Sequence, residues 1–424
     1  MVQEKLLHFI WQNQLIEAGK LETTNGETIL VKNPGVYNHD AGPDFKNAQV
    51  KIGDHLWAGH VEVHVNSKDW FLHGHQNDDN YKNVILHVVL FDDAELNIPT
   101  VELNGKIKKH LLNKYKELMQ SKAWIPCAQH VDKVDDFTLF QFKDRLIIER
   151  IERKLSAIKT DLEQTQNNWE EVFYRNLMRY GGLKVNKLAF EKLAQLLPHK
   201  LISKHRNNQF QIEALLFGAS GFLSELNSEY QKKLQKEYLF LKRKYNLKEL
   251  KSTDWQFATL RPANFPTVRL AQFASLFCSK NLSFDSILAF KNTKDLATEL
   301  YGVKASEFWD RHYNFDKTTD SKRVKQMGKT YSQLLLINHF APIIYAYGWY
   351  KGINSLKERA IDILSNTNSE LNNIITNWKE LGITSNTSFD SQALIELKTM
   401  YCDLKKCLNC SIGIKLLRKG HNEH

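Results

Sequence analysis

The chain lacks any long apolar run. Hydrophobic side chains make up 42% of its 424 residues, yet nowhere do they form an uninterrupted run of membrane-spanning length. No early segment combines a basic start, an apolar stretch and a small-residue cleavage site, which together mark a secretory signal peptide. We therefore expect a soluble, cytoplasmic protein that does not enter a membrane.

Cysteine is also scarce, and the five residues present do not suggest a disulfide framework. Three of them, Cys402, Cys407 and Cys410, nevertheless lie together in a C-x4-C-x2-C arrangement. Three thiols this close predict a soft metal, either zinc or an iron–sulfur cluster, which would need a fourth ligand. Cys127 is the first candidate for that ligand and His421 the second. The alternative is a set of buried, reduced cysteines on a terminal helix.

No repeat of fixed period is evident, so a solenoid is not expected. The charge balance is basic, with a formal net charge of +10 and a pI near 9.1. Clustered lysine and arginine release counterions from a phosphate backbone, so this balance favours a polyanionic partner such as DNA or RNA. The chain is long enough for two or three domains.

The N-terminal quarter has the pattern of a sheet. Residues 4–16 form an amphipathic helix, and Asn25-Gly26 predicts a tight turn into a hairpin. Apolar and polar residues alternate over 47–52, and Gly53-Asp54 turns the chain into the next strand. Residues 84–90 are apolar on both faces, as in a strand covered on both sides.

Beyond this region the pattern becomes helical. We predict an α/β N-terminal domain with a mixed sheet over residues 1–120, then a large all-α region over 121–400, and a cysteine-containing C-terminal segment over 401–424.

The residues most suited to chemistry lie in the sheet. Val61 and Val63 take the core side of their strand, so Glu62 and His64 should emerge together on the opposite face. Asp44 begins the antiparallel neighbour, so its carboxylate can converge with that of Glu62 on a hard cation, Mg²⁺ or Mn²⁺. His64 could then orient or deprotonate a water, or contact a phosphate.

Pro43-Asp44 and Glu62-Val63-His64 resemble the motif of the PD-(D/E)xK nuclease superfamily, in which Asp lies on one strand and Asp/Glu-x-Lys on the next. The helix before them, and the crossover and strand after them, follow that superfamily's order. The resemblance implies a restriction-endonuclease-like sheet and a magnesium-dependent phosphodiesterase site with Asp44 and Glu62 as metal ligands. His64 stands where lysine is usual.

The cysteines carry a second resemblance. In helicase-associated nucleases of the same superfamily, one distant cysteine joins three clustered C-terminal ones on an iron–sulfur cluster, and the arrangement here is similar. It differs in spacing, and Cys127 follows the nuclease-like region instead of preceding it.

Over its full length the chain looks like the uncharacterised bacterial family DUF2851. The runs that carry this resemblance are GPDFKNAQVKIG, WAGHVEVHVNSKDW, HGHQNDDNYKNVILHVV and CLNCSIG. The resemblance implies no established activity.

A competing hypothesis rests on the histidines. Five of them fall close together: His60, His64, His73, His75 and His87. The spacing in His73-Gly-His75 is used by zinc and non-haem iron sites, although both residues could instead be phosphate contacts beside a nuclease site. His87, alone in an apolar strand, is expected to be a hydrogen-bonded core histidine.

The helical region offers one basic run, SKRVKQMGK. Its Lys322, Arg323 and Lys325 are predicted to form an exposed cluster that touches a nucleic-acid backbone.

The preferred function is a metal-dependent nuclease that acts on DNA or RNA. A non-catalytic nucleic-acid or protein-binding module on a nuclease-like scaffold is the alternative. Separately, Asp44 and Glu62 could be solvated surface instead of a metal site. A metalloenzyme that uses the histidine cluster is the third hypothesis.

Overall fold

A computed structural model describes residues 3–17, 21–278, 282–290 and 292–419. It contains two compact units. The first comprises the described residues up to Phe142 and those from Leu397 onward, and the second runs from Lys143 to Glu396. The C-terminal cysteine segment is thus part of the first unit, together with the N-terminal sheet. His421, the second candidate for a fourth metal ligand, lies outside the described residues.

The first unit contains a mixed sheet, as the sequence predicts. Its strands run in the order β1-β2-β4-β5-β6-β7, and β3 pairs with β4. The pairs β5–β6 and β6–β7 are parallel, and the other pairs are antiparallel. The strands are β1 Leu21–Glu22, β2 Thr28–Asn33, β3 Val36–Tyr37, β4 Phe45–Ile52, β5 His55–Asn66, β6 Val84–Phe91 and β7 Thr100–Glu102.

The α-helices account for most of the remaining chain. In chain order, those up to the division are α1 Glu4–Gln12, α2 Asp69–Leu72, α3 Lys109–Gln120 and α4 Asp136–Gln164, within which the division falls. Those that follow are α5 Trp169–Gly181, α6 Lys187–Leu196, α7 His199–Lys204, α8 Gln209–Ala219, α9 Glu229–Tyr245, α10 Pro266–Cys278, α11 Phe284–Ala289, α12 Thr293–Leu300, α13 Lys329–Leu335, α14 Ala341–Lys351, α15 Asn354–Ser365, α16 Asn373–Glu380, α17 Ser388–Glu396 and α18 Ser411–Arg418.

The hairpin between β4 and β5 follows the predicted alternation. Ala48 and Val50 are fully buried while Gln49 is exposed, and Ile52 pairs with His55 across the turn. The pairing confirms the turn at residues 53–54. It also brings the start of β4 beside the middle of β5, with Phe45 opposite Val61.

Strand β6 is the apolar strand that the sequence predicts. All its residues from Val84 to Leu90 are buried. Because β6 runs parallel to β5, the chain must cross from the end of one strand to the start of the other. Residues 67–83 make this connection with α2 and two single 3₁₀ turns, His75–Asn77 and Asp79–Tyr81.

The second unit is helical, with its own apolar core. It contains the predicted basic cluster, but one of the three residues is not exposed as predicted. Lys325 is buried, and its Nζ donates to the carbonyl oxygens of Asp310 at 3.3 Å and Arg323 at 3.0 Å. It is therefore a structural lysine that cannot reach a nucleic acid. Lys322 and Arg323 are exposed.

Among the helices described, none is both long and apolar enough to cross a membrane.

The close approach of β5 and β6 at Gly59 provides a test of the sheet. A Cβ atom on Gly59 would lie 2.4 Å from Ile85 Cγ2 and 2.6 Å from the Asn83 carbonyl oxygen. We expect Gly59→Ala to lower the free energy of unfolding by about 1–3 kcal/mol, because the backbone must shift to relieve the overlap. Ala58→Ser, at the exposed neighbour, should change it by less than about 0.5 kcal/mol. Thermal unfolding measures the stability of both variants. If Gly59→Ala were as stable as Ala58→Ser, β5 and β6 would pack less closely than described here.

Candidate functional site

Asp44 and Glu62 are held together by reciprocal hydrogen bonds. The backbone N–H of Asp44 donates to Glu62 Oε2 at 3.0 Å, and the backbone N–H of Val63 donates to Asp44 Oδ2 at 3.1 Å. Glu62 is 5% exposed, and Asp44, directly before β4, is partly buried. The sequence-predicted pair of carboxylates is therefore brought together.

A third side chain, His8, joins this pair from α1. Its Nε2 lies 3.2 Å from Asp44 Oδ2, and its Nδ1 lies 3.2 Å from the Tyr37 hydroxyl. The sequence motifs do not include His8. The signal in the sequence was the pair Glu4 and His8, four residues apart, with His8 between the apolar residues of α1.

Three histidines cluster on the other side of Glu62. His64 Nε2 lies 3.1 Å from His73 Nδ1 and 3.5 Å from Glu62 Oε1, and His75 Nε2 lies 3.3 Å from the same carboxylate oxygen. One ring nitrogen from each of His64, His73 and His75 falls within 4.8 Å of the other two. The histidine hypothesis and the carboxylate hypothesis thus describe one site.

The spacing of these atoms suits a transition metal. An ion with metal–nitrogen bonds of about 2.0–2.1 Å holds tetrahedral ligand atoms roughly 3.3 Å apart. Neighbouring atoms in the cluster are separated by 3.1, 3.3 and 3.5 Å. Moreover, the Nε2 atoms of His8 and His75 are buried without a well-directed hydrogen bond to any described residue. Buried ring nitrogens in that state are available as metal ligands.

The local sequence explains how two histidines enter the site from the crossover. Helix α2 ends at Leu72, and Gly74 follows in the left-handed region with φ of 74°. This conformation, which glycine adopts without strain, reverses the chain between His73 and His75. The His75 ring stacks on Tyr81 with 3.8 Å between ring centroids.

His87 supports the cluster from β6. It is the residue paired with Glu62 across the parallel strands, and its Nε2 lies 2.8 Å from His64 Nδ1. It is fully buried, which confirms the predicted hydrogen-bonded core histidine. If His64 Nε2 binds a metal, the ring proton of His64 is on Nδ1. The Nδ1–H group then donates a hydrogen bond to His87 Nε2, which fixes the orientation of the His64 ring.

Burial dominates the electrostatics of the site. It raises the pKa of Glu62 well above the usual range, and the nearby charge of Asp44 raises it further. Burial and the neighbouring rings lower the pKa of His64 to about 2 and that of His87 to about 4, and they lower the pKa of His75. At neutral pH these rings are uncharged, as metal ligation requires. A bound cation would instead lower the pKa of Glu62, because it stabilises the ionised carboxylate.

Two sequence-based alternatives are corrected here. Asp44 and Glu62 are not solvated surface, since Glu62 is 5% exposed and Asp44 is partly buried. His60 lies apart from the cluster: it is partly exposed, and its Nδ1 accepts a weak hydrogen bond of 3.4 Å from the Asn47 N–H.

A basic cavity of about 610 Å³ reaches the site at His8. Its cationic lining comes from Lys5 on α1 and from Lys405 and Lys406 in the C-terminal segment, and no acidic residue lines it among those described. The cavity lies wholly within the first unit. The four cysteines predicted to bind a second metal or cluster, Cys127, Cys402, Cys407 and Cys410, belong to the same unit and are buried.

These features define an α/β unit whose mixed sheet encloses a cluster of carboxylates and histidines. The chain belongs to the DUF2851 family of proteins of unknown function, whose model matches residues 4–373. No curated protein and no solved structure matches the chain.

The spacing of the histidines leads to a test of metal binding. We expect the metal-free protein to take up one Zn²⁺ or Mn²⁺ per chain at this site, and His73→Ala or His75→Ala to weaken the affinity by about tenfold or more. His55→Ala, at an exposed histidine of the same strand as His64, is the matched control and should bind normally. Calorimetric titration measures the affinities. Equal affinity in all three variants would place the ion elsewhere.

Proposed function

We propose that the protein is a metal-dependent phosphodiesterase that cleaves DNA or RNA. The observation that carries the proposal is the reciprocal hydrogen bonding of Asp44 and Glu62 beside the histidine trio. The buried Glu62 and the partly buried Asp44 lie beside the neutral rings of His64 and His75 and the exposed ring of His73, an arrangement suited to hydrolysis assisted by a metal ion.

The order of elements supports a restriction-endonuclease-like core. Helix α1 precedes the antiparallel strands β2, β4 and β5, and a crossover then leads to the parallel strand β6. Asp44 directly precedes β4, and Glu62 and His64 lie on β5. This is the order that the PD-(D/E)xK resemblance implies, although α2, in the crossover, is only four residues long.

The nitrogen-rich composition of the site favours a transition metal. Mg²⁺ prefers an octahedral shell of oxygen atoms, whereas imidazole nitrogens suit Mn²⁺, Fe²⁺ and Zn²⁺. With three histidines beside Glu62, we therefore rank Mn²⁺ or Zn²⁺ ahead of the Mg²⁺ that the two carboxylates alone suggest.

His64 cannot act as a positively charged replacement for lysine. Burial lowers its pKa to about 2, so the ring is neutral at physiological pH, and its two nitrogens face His87 and His73. It is suited to ligate the ion. The positive charge that lysine supplies elsewhere would here come from the metal itself.

The remaining residues hold and orient the reacting groups. A divalent ion bound here supplies Lewis acidity toward a phosphodiester and an attacking water. Asp44 keeps one carboxylate oxygen fixed by the Val63 N–H, and His8 lies 3.2 Å from that oxygen. His8 Nε2 can accept a proton from water while Nδ1 stays on the Tyr37 hydroxyl, because the Asp44 carboxylate stabilises the imidazolium that forms.

The cavity beside His8 is suited to the backbone of a nucleic acid. Lys5 and Lys406 are exposed, and phosphate contacts from such residues give affinity without sequence preference. The formal charge of +10 also favours binding of a nucleic acid.

Nuclease assays with Mn²⁺, Zn²⁺ and Mg²⁺ test the activity. We expect Asp44→Asn and Glu62→Gln to lower the cleavage rate roughly a hundredfold or more, because each removes a charged oxygen from the site. Asp54→Asn, in the exposed turn of the same hairpin, is the matched control and should cleave at the wild-type rate.

The same experiment separates the alternatives. If the wild-type protein cleaves neither DNA nor RNA with any of the three ions, the proposed activity is wrong. Salt-sensitive binding without cleavage would then identify the non-catalytic nucleic-acid-binding module.

Substrate binding in the cavity gives an independent prediction. We expect the double variant Lys5→Ala/Lys406→Ala to bind nucleic acid more weakly and to reduce the slope of log affinity against log salt by about 2, because each lysine neutralises one phosphate. Lys109→Ala, at an exposed lysine outside the cavity lining, should leave the slope unchanged. Fluorescence anisotropy over a salt series measures this. An unchanged slope in the double variant would exclude the cavity as the binding site.

A further inference from the structure

Four of the five cysteines lie buried in the first unit. Cys127, Cys402, Cys407 and Cys410 are 6–8% exposed, and none of them forms a disulfide. They come from two distant segments of the chain. One segment connects α3 to α4 and carries Cys127, and the other precedes α18 and carries the remaining three.

Specific contacts hold these two segments against each other. Lys398 Nζ lies 5.2 Å from the ring centroid of Trp124, three residues before Cys127. Lys405 Nζ donates to the carbonyl oxygens of Met119 at 2.5 Å and Ser121 at 3.1 Å, at the end of α3. These contacts bring the segment that carries Cys127 beside the segment that carries the other three cysteines.

Two of the three C-terminal cysteines are fixed by local backbone contacts. A Cβ atom on Gly413 of α18 would lie 2.2 Å from the Cys407 carbonyl oxygen, so only glycine permits this approach. Cys410 directly precedes α18, and its carbonyl accepts from the Ile414 N–H at 2.8 Å. Cys407 and Cys410 are thus anchored to the same helix end.

The thiols lack the properties of reactive cysteines. Burial raises the pKa of Cys127 and of Cys407 to about 12, and the neighbouring thiols contribute in the same direction. A nucleophilic cysteine needs a lowered pKa and some exposure. A single buried thiol is an ordinary apolar side chain, but four that converge from two segments form a ready set of soft ligands.

We propose that Cys127, Cys402, Cys407 and Cys410 are the ligands of an iron–sulfur cluster. Four thiolates are the complete ligand set of such a cluster. A single zinc ion needs a closer spacing of the sulfurs than a cluster does, because each thiolate of a cluster binds a different iron atom. Tetrahedral zinc with Zn–S bonds of about 2.3 Å would draw the sulfurs to roughly 3.8 Å from one another. Within the described residues, no three of the cysteine sulfurs lie within 4.8 Å of one another.

The surroundings compensate the charge of such a centre. Four thiolates and a cluster carry net negative charge, and Lys405, in the loop between Cys402 and Cys407, supplies a nearby positive charge, whereas Lys398 is already paired with Asp403. Cationic neighbours of this kind stabilise the charge of a metal–thiolate centre and tune its reduction potential.

The cluster would fix one wall of the basic cavity. The loop between Cys402 and Cys410 contributes Leu404, Lys405 and Lys406 to the cavity lining. Holding both ends of the loop through metal–sulfur bonds would set the position of these lysines. The cluster itself does not depend on the proposed nuclease activity.

Metal analysis of the full chain, purified without oxygen, tests the proposal. We expect about four iron and four sulfide per chain for a cubane cluster, with visible absorption that bleaches on reduction with dithionite. A single zinc without iron would overturn the cluster assignment. So would the absence of iron and sulfide after reconstitution with ferrous iron and sulfide.

Serine variants identify the ligands. Cys127→Ser, Cys402→Ser, Cys407→Ser and Cys410→Ser should each lose most of the iron, whereas Cys278→Ser, at the cysteine of the second unit, should keep the full complement. Circular dichroism shows which variants remain folded. If a folded Cys127→Ser protein keeps all its iron, the assignment of its fourth ligand is wrong. The iron content of the wild-type and Cys278→Ser proteins decides the existence of the cluster even where a serine variant does not fold.

Discussion

Burial of the Glu62 carboxylate is the constraint on which the site depends. Removing a carboxylate from water costs several kcal/mol unless charges or hydrogen bonds compensate it. The Asp44 N–H provides one hydrogen bond, but the adjacent histidines are held neutral by their own burial. The described side chains therefore leave the carboxylate short of positive charge. A divalent cation at the same point would supply that charge and use the neutral rings as ligands.

The topology explains why this constraint falls at β5. Residues 61–64 of β5, which pair with β6, are buried on both faces of the sheet, and this parallel pairing requires a crossover that passes over one face. The crossover carries His73 and His75, and β6 carries His87 beside Glu62. The histidines are thus delivered by the same connection that removes Glu62 from water.

Much of this arrangement can be predicted from the sequence because strand alternation has a fixed period. The alternation puts Glu62 and His64 on one face, and the turn at 53–54 brings Asp44 beside them. It does not reveal His8. Helical spacing shows that one face of α1 contains both polar and apolar residues, but it does not show which strand that face contacts. Nor does it reveal the burial of Lys325, because a run of basic residues does not indicate which lysine finds carbonyl partners in the folded chain. The sequence groups three of the buried cysteines, but it does not show that Cys127 lies in the same unit. That location depends on tertiary contacts such as those of Trp124 and Lys405.

The first unit contains residues from both ends of the chain, with the whole second unit inserted between them. The C-terminal segment must therefore return across a long closed loop before Lys405 and Lys406 can line the cavity. The entropy of closing a loop grows only with the logarithm of its length, so a few strong contacts suffice to hold the segment in place. The hydrogen bonds from Lys405 to Met119 and Ser121 supply only weak contacts. Bonds from Cys127 and the C-terminal cysteines to one metal centre would supply strong contacts. Their binding energy is gained only when the C-terminal segment lies beside Cys127.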